Sequence, residues 1–230
     1  MNFIEGEILL FDKPYTWTSF SLVKKVRYLI QKHLGIKNLK VGHTGTLDPL
    51  ATGLMILCTG RSTKLIESIQ SDVKEYIATI GLGKTTPCFD LEKDFDGEYP
   101  VEHITQKLIE SALENFKGEI DQVPPVFSAK NVDGKRAYSY ARKGTSIEMK
   151  PNKVTIHNIE IINFDLPTLT LNIKCSKGTY IRSLARDIGL ALESGAHLAG
   201  LRRTASGNYN IKDAMNIDVF QEKLLSLQTK

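Results

Sequence analysis

This sequence contains few cysteines, and it has neither a long apolar run nor a targeting leader. The three cysteines, Cys58, Cys88 and Cys175, stand far apart and form no CxxC pair. A disulfide framework or a cysteine-based zinc site is therefore not expected. No stretch reaches the roughly 20 apolar residues that span a bilayer. Residues 1–7 lack the basic start and apolar run of a signal peptide. We expect a cytoplasmic protein with no membrane association.

Composition favours a globular chain. Of the 230 residues, 41% are hydrophobic and 24% are charged, which is typical of a folded chain with one substantial core. Because no internal repeat, low-complexity segment or linker is found, we expect a single domain over residues 1–230. Strand and helix patterns interleave and short turns join several strands. This favours an α/β (α+β) fold with a mixed, mainly antiparallel sheet.

Charge is distributed unevenly although the net charge is only +4. Residues 1–64 carry nine Lys or Arg against four Asp or Glu. Residues 85–121 carry three basic and ten acidic residues, and residues 122–153 carry seven basic and two acidic residues. Blocks of opposite sign favour one basic face and one face turned away from a polyanion. Ordinary solvated surface charge explains the counts equally well.

Periodicity predicts most of the secondary structure. The helix that starts at Thr18 or Ser19 and ends before Gly35 has an apolar set formed by Phe20, Val23, Val26, Leu29 and Ile30. The predicted strands are 7–11, 54–58, 75–82 and a hairpin of 154–164 with 169–175, and the predicted helices are 18–33, 62–69, 102–116, 180–193 and 218–227. The acidic stretch 90–98 is predicted to be an exposed loop.

The segment from Ala78 to Thr85 nearly matches the phosphate-binding loop of nucleotide-binding enzymes. Ala78 stands where a phosphate-binding loop has its first glycine, and Pro87 stands where the following helix should begin. Such a loop requires both features. A nucleotide-binding enzyme is therefore disfavoured, although an ATP-binding assay would test it.

Residues that carry chemistry are concentrated in the segment 42–53, which reads GHTGTLDPLATG. Its glycines allow the backbone to approach a ligand closely. Pro49 biases the backbone of Asp48 toward an extended conformation, which would hold the carboxylate at a fixed angle. Composition alone is also compatible with a plain Asp-Pro turn and an ordinary loop histidine at His43.

The segment 42–53 resembles, at nearly every position, the second motif of the TruB family of tRNA pseudouridine synthases. Three further segments agree in order and spacing: KEY at 74–76, CSKGTYIRSL at 175–184 and GLRRT at 200–204. The segment VPPVFSA at 123–129 is also similar to the family. The resemblance covers about residues 6–209. It implies the pseudouridine synthase fold, in which helices flank a central sheet crossed by a catalytic cleft.

Residue roles follow from this resemblance. Asp48 matches the essential catalytic carboxylate, Tyr76 would stack on the flipped base, and Arg182 would pair with Asp48. Tyr180 would hydrogen-bond Asp48 or the base, and Leu201 would close the pocket by apolar contact.

The resemblance also implies contacts with RNA. His43 would contact the RNA loop rather than transfer a proton. Further candidates for contact with RNA phosphates are Lys13, Lys64, Lys130, Arg202 and Arg203. Each of these cations could instead be a solvated surface residue.

The implied reaction isomerises the uridine at tRNA position 55 in the T loop. The base is flipped out of the RNA, detached from C1′ at N1 and rejoined at C5. A carboxylate beside C1′ would act as a nucleophile, or as a base on a route through a glycal. Neither route requires a metal or a cofactor. The alternative is a noncatalytic tRNA-binding or RNA-folding protein on the same scaffold.

The sequence departs from the family pattern at three places. Thr16 stands where a glycine is expected after Asp12-Lys13-Pro14, and residues 85–90 replace a Thr-Asp-Thr run. The sequence stops 27 residues after Arg203, so we expect no C-terminal PUA domain. We expect a monomer that binds the T arm of tRNA and needs no obligate protein partner.

Overall fold

The computed structural model describes residues 1–70, 73–128, 131–132, 135–136 and 149–228, with backbone alone at 131–132 and 135–136. Contacts divide the chain into two compact units: unit 1 contains Met1–Tyr76 and Arg202–Lys230, and unit 2 contains Ile77–Leu201. None of the helices in the described ranges combines the length and the apolar character needed to cross a membrane.

Strands outnumber helices in the described chain. In chain order the elements are β1 (Ile8–Lys13), α1 (Ser19–Leu34), β2 (Val41–His43), β3 (Ala51–Thr59), α2 (Ile66–Gln70), β4 (Lys74–Leu82), β5 (Lys84–Thr85), β6 (Gly97–Glu98), α3 (Gln106–Glu114), β7 (Gly118–Gln122), β8 (Asn131–Val132), β9 (Lys135–Arg136), β10 (Asn152–Asp165), β11 (Thr168–Cys175), α4 (Ile181–Ala191), β12 (Ala196–Ser206), β13 (Tyr209–Asn210) and α5 (Ile217–Gln228). The segments Gly60–Leu65 and Ile211–Asp213 form 3-10 turns.

Unit 1 is built on the strand order β1-β3-β12, with β2 also paired to β3 and β13 paired to β12. β1 and β2 both run antiparallel to β3. The side chains of Leu54, Ile56 and Cys58 on β3 form a buried cluster together with Ile69. β3 is buried almost throughout, so the loops on either side of it are attached to a well-packed strand.

Helix α1 begins and ends where its capping residues predict. The Thr18 side chain accepts a hydrogen bond from the Ser21 amide, and Gly35 ends the helix with a left-handed φ of 66°. Packing buries the side facing α5 and the core, which carries Leu22, Val23, Val26, Leu29 and Ile30. Phe20 does not share this side: it is 67% exposed. Its assignment to the apolar set of the helix is therefore wrong.

Unit 2 has the strand order β12-β4-β11-β10-β7. β10 runs antiparallel to both β11 and β7. Helix α4 buries Ile181, Leu184 and Ile188, and α3 packs on α4 and on β10. Apolar residues three and four apart on α4 therefore form the core face that the periodicity predicted.

The predicted mixed, mainly antiparallel sheet with flanking helices is confirmed. The predicted helix at 62–69 is divided into a 3-10 turn and the short helix α2. The long strand β12 was not predicted at all. After β4 the chain continues into the short strand β5 rather than a helix, which is inconsistent with a phosphate-binding loop. The central cleft stays a prediction.

Gly53 occupies a position of β3 that no other residue should tolerate. Its φ is +103°, and a Cβ there would lie 2.3 Å from the carbonyl oxygen of Arg203. Gly35 also has a positive φ, but a Cβ there would meet nothing within 4 Å. We expect Gly53→Ala to lower the free energy of unfolding by about 3 kcal/mol or more.

The matched variant Gly35→Ala should lower the free energy of unfolding by only about 1 kcal/mol, because the substitution adds backbone strain without a steric clash. Urea denaturation of both variants measures the difference. Equal losses would show that the contact with Arg203 adds nothing to the conformational strain.

Candidate active site

Asp48 lies half-buried in the loop between β2 and β3, which we call the Asp48 loop (residues 44–50). The start of α1 fixes this loop: the Ser19 hydroxyl accepts a hydrogen bond from the Leu47 amide at 2.8 Å and donates to the Leu47 carbonyl at 2.9 Å. On the other side of Asp48, its carbonyl accepts from the Ala51 amide at 3.1 Å. Bonds on both sides of Asp48 therefore limit the motion of the backbone that carries the carboxylate.

Lys13, at the end of β1, places a buried positive charge beside this loop. Its side chain is 0% exposed, and its ammonium donates to the carbonyls of Pro14, Trp17 and Pro49 at 3.0, 2.5 and 3.3 Å. Burial lowers the pKa of Lys13 from 10.5 to about 8, and the nearby charge of Asp48 opposes that fall. Lys13 is thus still mainly protonated at neutral pH, where it favours the ionised form of Asp48.

Arg203 of β12 supports the glycine-rich part of the loop. It is 3% exposed, and its guanidinium donates to the Leu54 carbonyl at 2.8 Å and to the Gly45 carbonyl at 3.1 Å. A Cβ on Gly45 would lie 3.3 Å from this guanidinium, so the absence of a side chain permits the close approach. Lys13 and Arg203 are both buried, and their predicted contact with RNA phosphates stays a prediction.

His43, in β2, is half-buried. Burial lowers the pKa of His43, and the charge of Arg203 acts in the same direction, while a hydrogen bond with the Gly45 backbone opposes both. Since the ordinary pKa of histidine is 6.5, the ring is neutral at pH 7. It can offer an uncharged hydrogen-bond donor or acceptor. Its predicted contact with the RNA loop stays a prediction.

The remaining predicted phosphate contacts differ in accessibility. Arg202 donates two hydrogen bonds to the Asp12 carboxylate, at 2.7 and 3.1 Å, and its side chain remains 43% exposed. Lys64 is exposed at the end of a 3-10 turn. Lys130 lies outside the described residues. Within the described ranges, no cluster of three or more His, Cys, Asp or Glu side chains could hold a metal ion.

In unit 2, Arg182 stands in the first turn of α4 and is 6% exposed. Its guanidinium donates to the Phe127 carbonyl at 2.9 Å and to the Cys88 carbonyl at 3.3 Å. It also forms an ion pair with Asp90, with 3.6 Å between Nη1 and Oδ2. Three contacts from two separate parts of the chain, residues 88–90 and Phe127, therefore fix the direction of this guanidinium. The predicted pairing of Arg182 with Asp48 stays a prediction.

Asp90 is one residue of the candidate site that the sequence did not indicate. It was assigned to an exposed acidic loop, but it is 3% exposed, and its carboxylate accepts from the Glu92 amide at 3.0 Å. The remaining acidic residues of the stretch 90–98 are exposed as predicted. Asp90 stands between Phe89 and Leu91, and this apolar context was the available signal for its burial.

Gln122, in β7, is a second missed residue. It is 1% exposed, and its side-chain amide forms a two-way clamp on the Tyr180 backbone. The Gln122 carbonyl oxygen accepts from the Tyr180 amide at 2.8 Å, and the Gln122 amide group donates to the Tyr180 carbonyl at 3.1 Å. The clamp fixes the residue immediately before α4, and therefore the starting point from which Tyr180 and Arg182 project.

Tyr76 and Leu201 lie on the two strands that run through both units. Tyr76 is 8% exposed in β4, where residues are buried and half-buried in alternation. Leu201 is half-buried in β12. Tyr76 shares unit 1 with Asp48, whereas Leu201, Tyr180 and Arg182 belong to unit 2. Unit 1 contains the Asp48 carboxylate with the buried cation Lys13 near it, and unit 2 contains the Arg182 guanidinium, which pairs with Asp90.

Comparison with known proteins indicates the family of this chain. Residues 31–181 match the N-terminal domain of the TruB family of pseudouridylate synthases. Residues 182–230 match the tRNA pseudouridylate synthase B C-terminal domain. A chain in the crystal structure of a Cbf5–Nop10–Gar1 complex has the same fold, with a TM-score of 0.71 and 26% identity. The match covers 96% of this chain and 54% of that one, so this chain spans about half its length.

Three bacterial relatives carry the name tRNA pseudouridine synthase B. The protein of Phocaeicola vulgatus is 58% identical over 224 residues, which cover 97% of this chain and 95% of the relative. The protein of Flavobacterium johnsoniae is 51% identical over 97% of this chain and 98% of its own length. The protein of Clostridium kluyveri is 44% identical over 211 residues, which cover 92% of this chain and 71% of the relative. With domain matches over residues 31–230 and relatives this similar over nearly the whole sequence, the chain belongs to the TruB family of pseudouridylate synthases.

Proposed function

We propose that this chain converts the uridine at position 55 of the tRNA T loop to pseudouridine, acting in the cytoplasm as a monomeric single catalytic domain. The observation that carries the proposal is the setting of Asp48, whose loop is bonded to Ser19 and lies beside the buried cation Lys13. The names of the curated relatives support tRNA as the substrate.

The reaction is an isomerisation, so its atoms balance without a second substrate. Asp48 either attacks C1′ as the bond to N1 breaks, forming an ester bond that breaks again when C5 bonds to C1′, or it removes a proton from C2′ as the bond to N1 breaks, giving a glycal, and returns that proton to C2′ when C5 bonds to C1′. The detached base turns, C5 bonds to C1′, C5 loses its proton and N1 gains one. Both routes require an ionised carboxylate held close to the sugar, which is the state that Lys13 favours electrostatically.

The unit 2 residues contribute orientation in this proposal. Arg182 pairs with Asp48 at one side of its guanidinium and is held by Asp90 at the other. Tyr180, clamped by Gln122, hydrogen-bonds the carboxylate or the base. Leu201 closes the pocket by apolar contact.

The base itself is flipped out of the RNA before it reacts. Tyr76 stacks on it, so that ring burial offsets part of the cost of unstacking. The partly exposed cations Lys64 and Arg202 contact phosphates of the T arm, with Lys130 in the same role by resemblance. His43, neutral at pH 7, hydrogen-bonds the RNA loop.

The role of Asp48 in the reaction is tested by removing its charge. Asp48→Asn keeps the size of the side chain but removes the negative charge, so tritium release from tRNA labelled at uridine C5 should fall at least about 1,000-fold. The control Asp218→Asn alters an exposed carboxylate on α5 and should release tritium at the wild-type rate. Tritium release by Asp48→Asn at the wild-type rate would show that the reaction does not require the Asp48 carboxylate. No release by the wild type, with tRNA binding retained, would favour the noncatalytic RNA-binding alternative.

Asp90 is expected to act as a positioning residue for Arg182. Asp90→Asn removes the charge that orients Arg182, and a misplaced catalytic group costs up to about 100-fold in rate. We expect kcat for tritium release to fall about 10- to 100-fold while the Kd for tRNA stays within about twofold. The control is Asp94→Asn, which changes an exposed residue of the same acidic stretch. An equal loss in both variants, or a change in Kd alone, would contradict the positioning role.

The buried lysine Lys13 makes the stability of the fold depend on pH. The pKa of Lys13 is about 8 in the folded chain and 10.5 in an exposed lysine. Between these values the unfolded chain holds a proton that the folded chain has released. The free energy of unfolding contributed by this lysine therefore rises with pH across that interval. Lys13→Met, which does not titrate, lacks this rise.

The stability difference between wild type and Lys13→Met should shift in favour of the wild type by about 2 kcal/mol between pH 7 and pH 9.5. Urea denaturation at both pH values measures it. For Lys223→Met, which replaces an exposed lysine of α5, the corresponding difference should not change with pH. A constant difference for Lys13→Met would show that the lysine titrates normally.

A further inference from the structure

A long segment beside the Asp48 loop carries positive charge only. Residues 13–47 contain seven Lys or Arg and no Asp or Glu. Four of these cations lie on α1, which has no acidic residue. Acidic side chains at the start of a helix stabilise it by interaction with the helix dipole, and α1 has none there. A cation in the last turn is favoured by the helix dipole, which accounts for Lys32, but the other three cations lie before that turn. Interaction with the dipole therefore does not explain most of the charge of α1, which suits a polyanionic partner.

The exposed side of α1 combines this charge with aromatic rings. Phe20, Lys24, Tyr28 and Lys32 follow one another at intervals of four residues, and all four side chains are exposed. Phe20 is 67% exposed and Tyr28 is 55% exposed. Neighbours at this interval are separated by about 6 Å along the axis, so the row is about 18 Å long. We call this row the α1 stripe.

Alternation of aromatic rings and cations distinguishes RNA from other acidic partners. Unpaired bases stack on exposed aromatic rings, while lysines contact the phosphates between them. A membrane-surface helix needs a broad, continuous apolar face, but each ring of the stripe has lysine as its neighbour along the row. Packing within α1 could explain one such pair of side chains, but it does not require two large rings to face solvent.

Position relates the stripe to the reaction site. Ser19, immediately before Phe20, forms two hydrogen bonds to Leu47, the residue before Asp48. The stripe therefore begins beside the Asp48 loop and leads away from it along α1. RNA whose target nucleotide is flipped toward Asp48 has its neighbouring nucleotides within reach of this row.

We propose that the α1 stripe binds the substrate RNA strand next to the flipped nucleotide, with Phe20 and Tyr28 stacking on unpaired bases and Lys24 and Lys32 contacting phosphates. This inference deepens the proposed function and rests on it. It assigns the stripe to binding and not to the chemical step.

The test measures binding in the absence of turnover. All variants are made in the Asp48→Asn background, and fluorescence anisotropy gives Kd for a labelled T-arm stem-loop RNA at several salt concentrations. Phe20→Ala/Tyr28→Ala should raise Kd about tenfold. Lys24→Gln/Lys32→Gln should raise Kd and also reduce the slope of log affinity against log salt by about 1.5.

The control is Lys223→Gln/Leu225→Ala, which removes one exposed lysine and one exposed apolar side chain from α5. Its Kd should stay within about twofold of that of the parent, and thermal denaturation of all variants checks that they are folded. The inference is overturned if both stripe variants bind as the parent does, or if the control loses as much affinity as they do. Failure of the proposed function is a separate result, because it is read from tritium release by the wild type.

Discussion

Lys13 places a positive charge where no solvent reaches it, and the arrangement around Asp48 depends on how that charge is accommodated. An isolated buried ammonium is costly. Here backbone carbonyls before α1 and within the Asp48 loop accept its hydrogen bonds. Bonds from a single cation to two chain segments fix one against the other. The same cation favours the ionised form of Asp48, so packing and electrostatics act on the same residue.

Arg203, from a different part of the chain, is a second buried cation that binds backbone carbonyls. Its guanidinium binds carbonyls of β3 and of the Asp48 loop, and the glycine at position 45 allows the contact. Buried cations bound to carbonyls are sensitive to loss of a partner, because the remaining charge is left without compensation. The conformation of the Asp48 loop thus depends on buried cations whose substitution is expected to be destabilising.

Unit 2 uses a buried cation in another way. Arg182 is also held by backbone carbonyls, but Asp90 provides a formal counter-charge. A guanidinium presents several donors in a fixed plane, so contacts on one side determine the direction in which the others point. In the proposed mechanism this converts a flexible side chain into an oriented one before the substrate arrives.

By itself, the sequence determined features that depend on neighbouring residues or on a recognisable motif. The capping residues Thr18 and Gly35 and the apolar spacing of α1 and α4 predicted those helices, because capping and amphipathic periodicity act within a few residues. The motif around Asp48 indicated the family. Only the tertiary structure decided that Lys13, Arg203 and Asp90 are buried while Phe20 is exposed. The reason is physical: burial of a charge depends on carbonyls and counter-charges that distant segments bring together, and neither composition nor periodicity records which segments will meet.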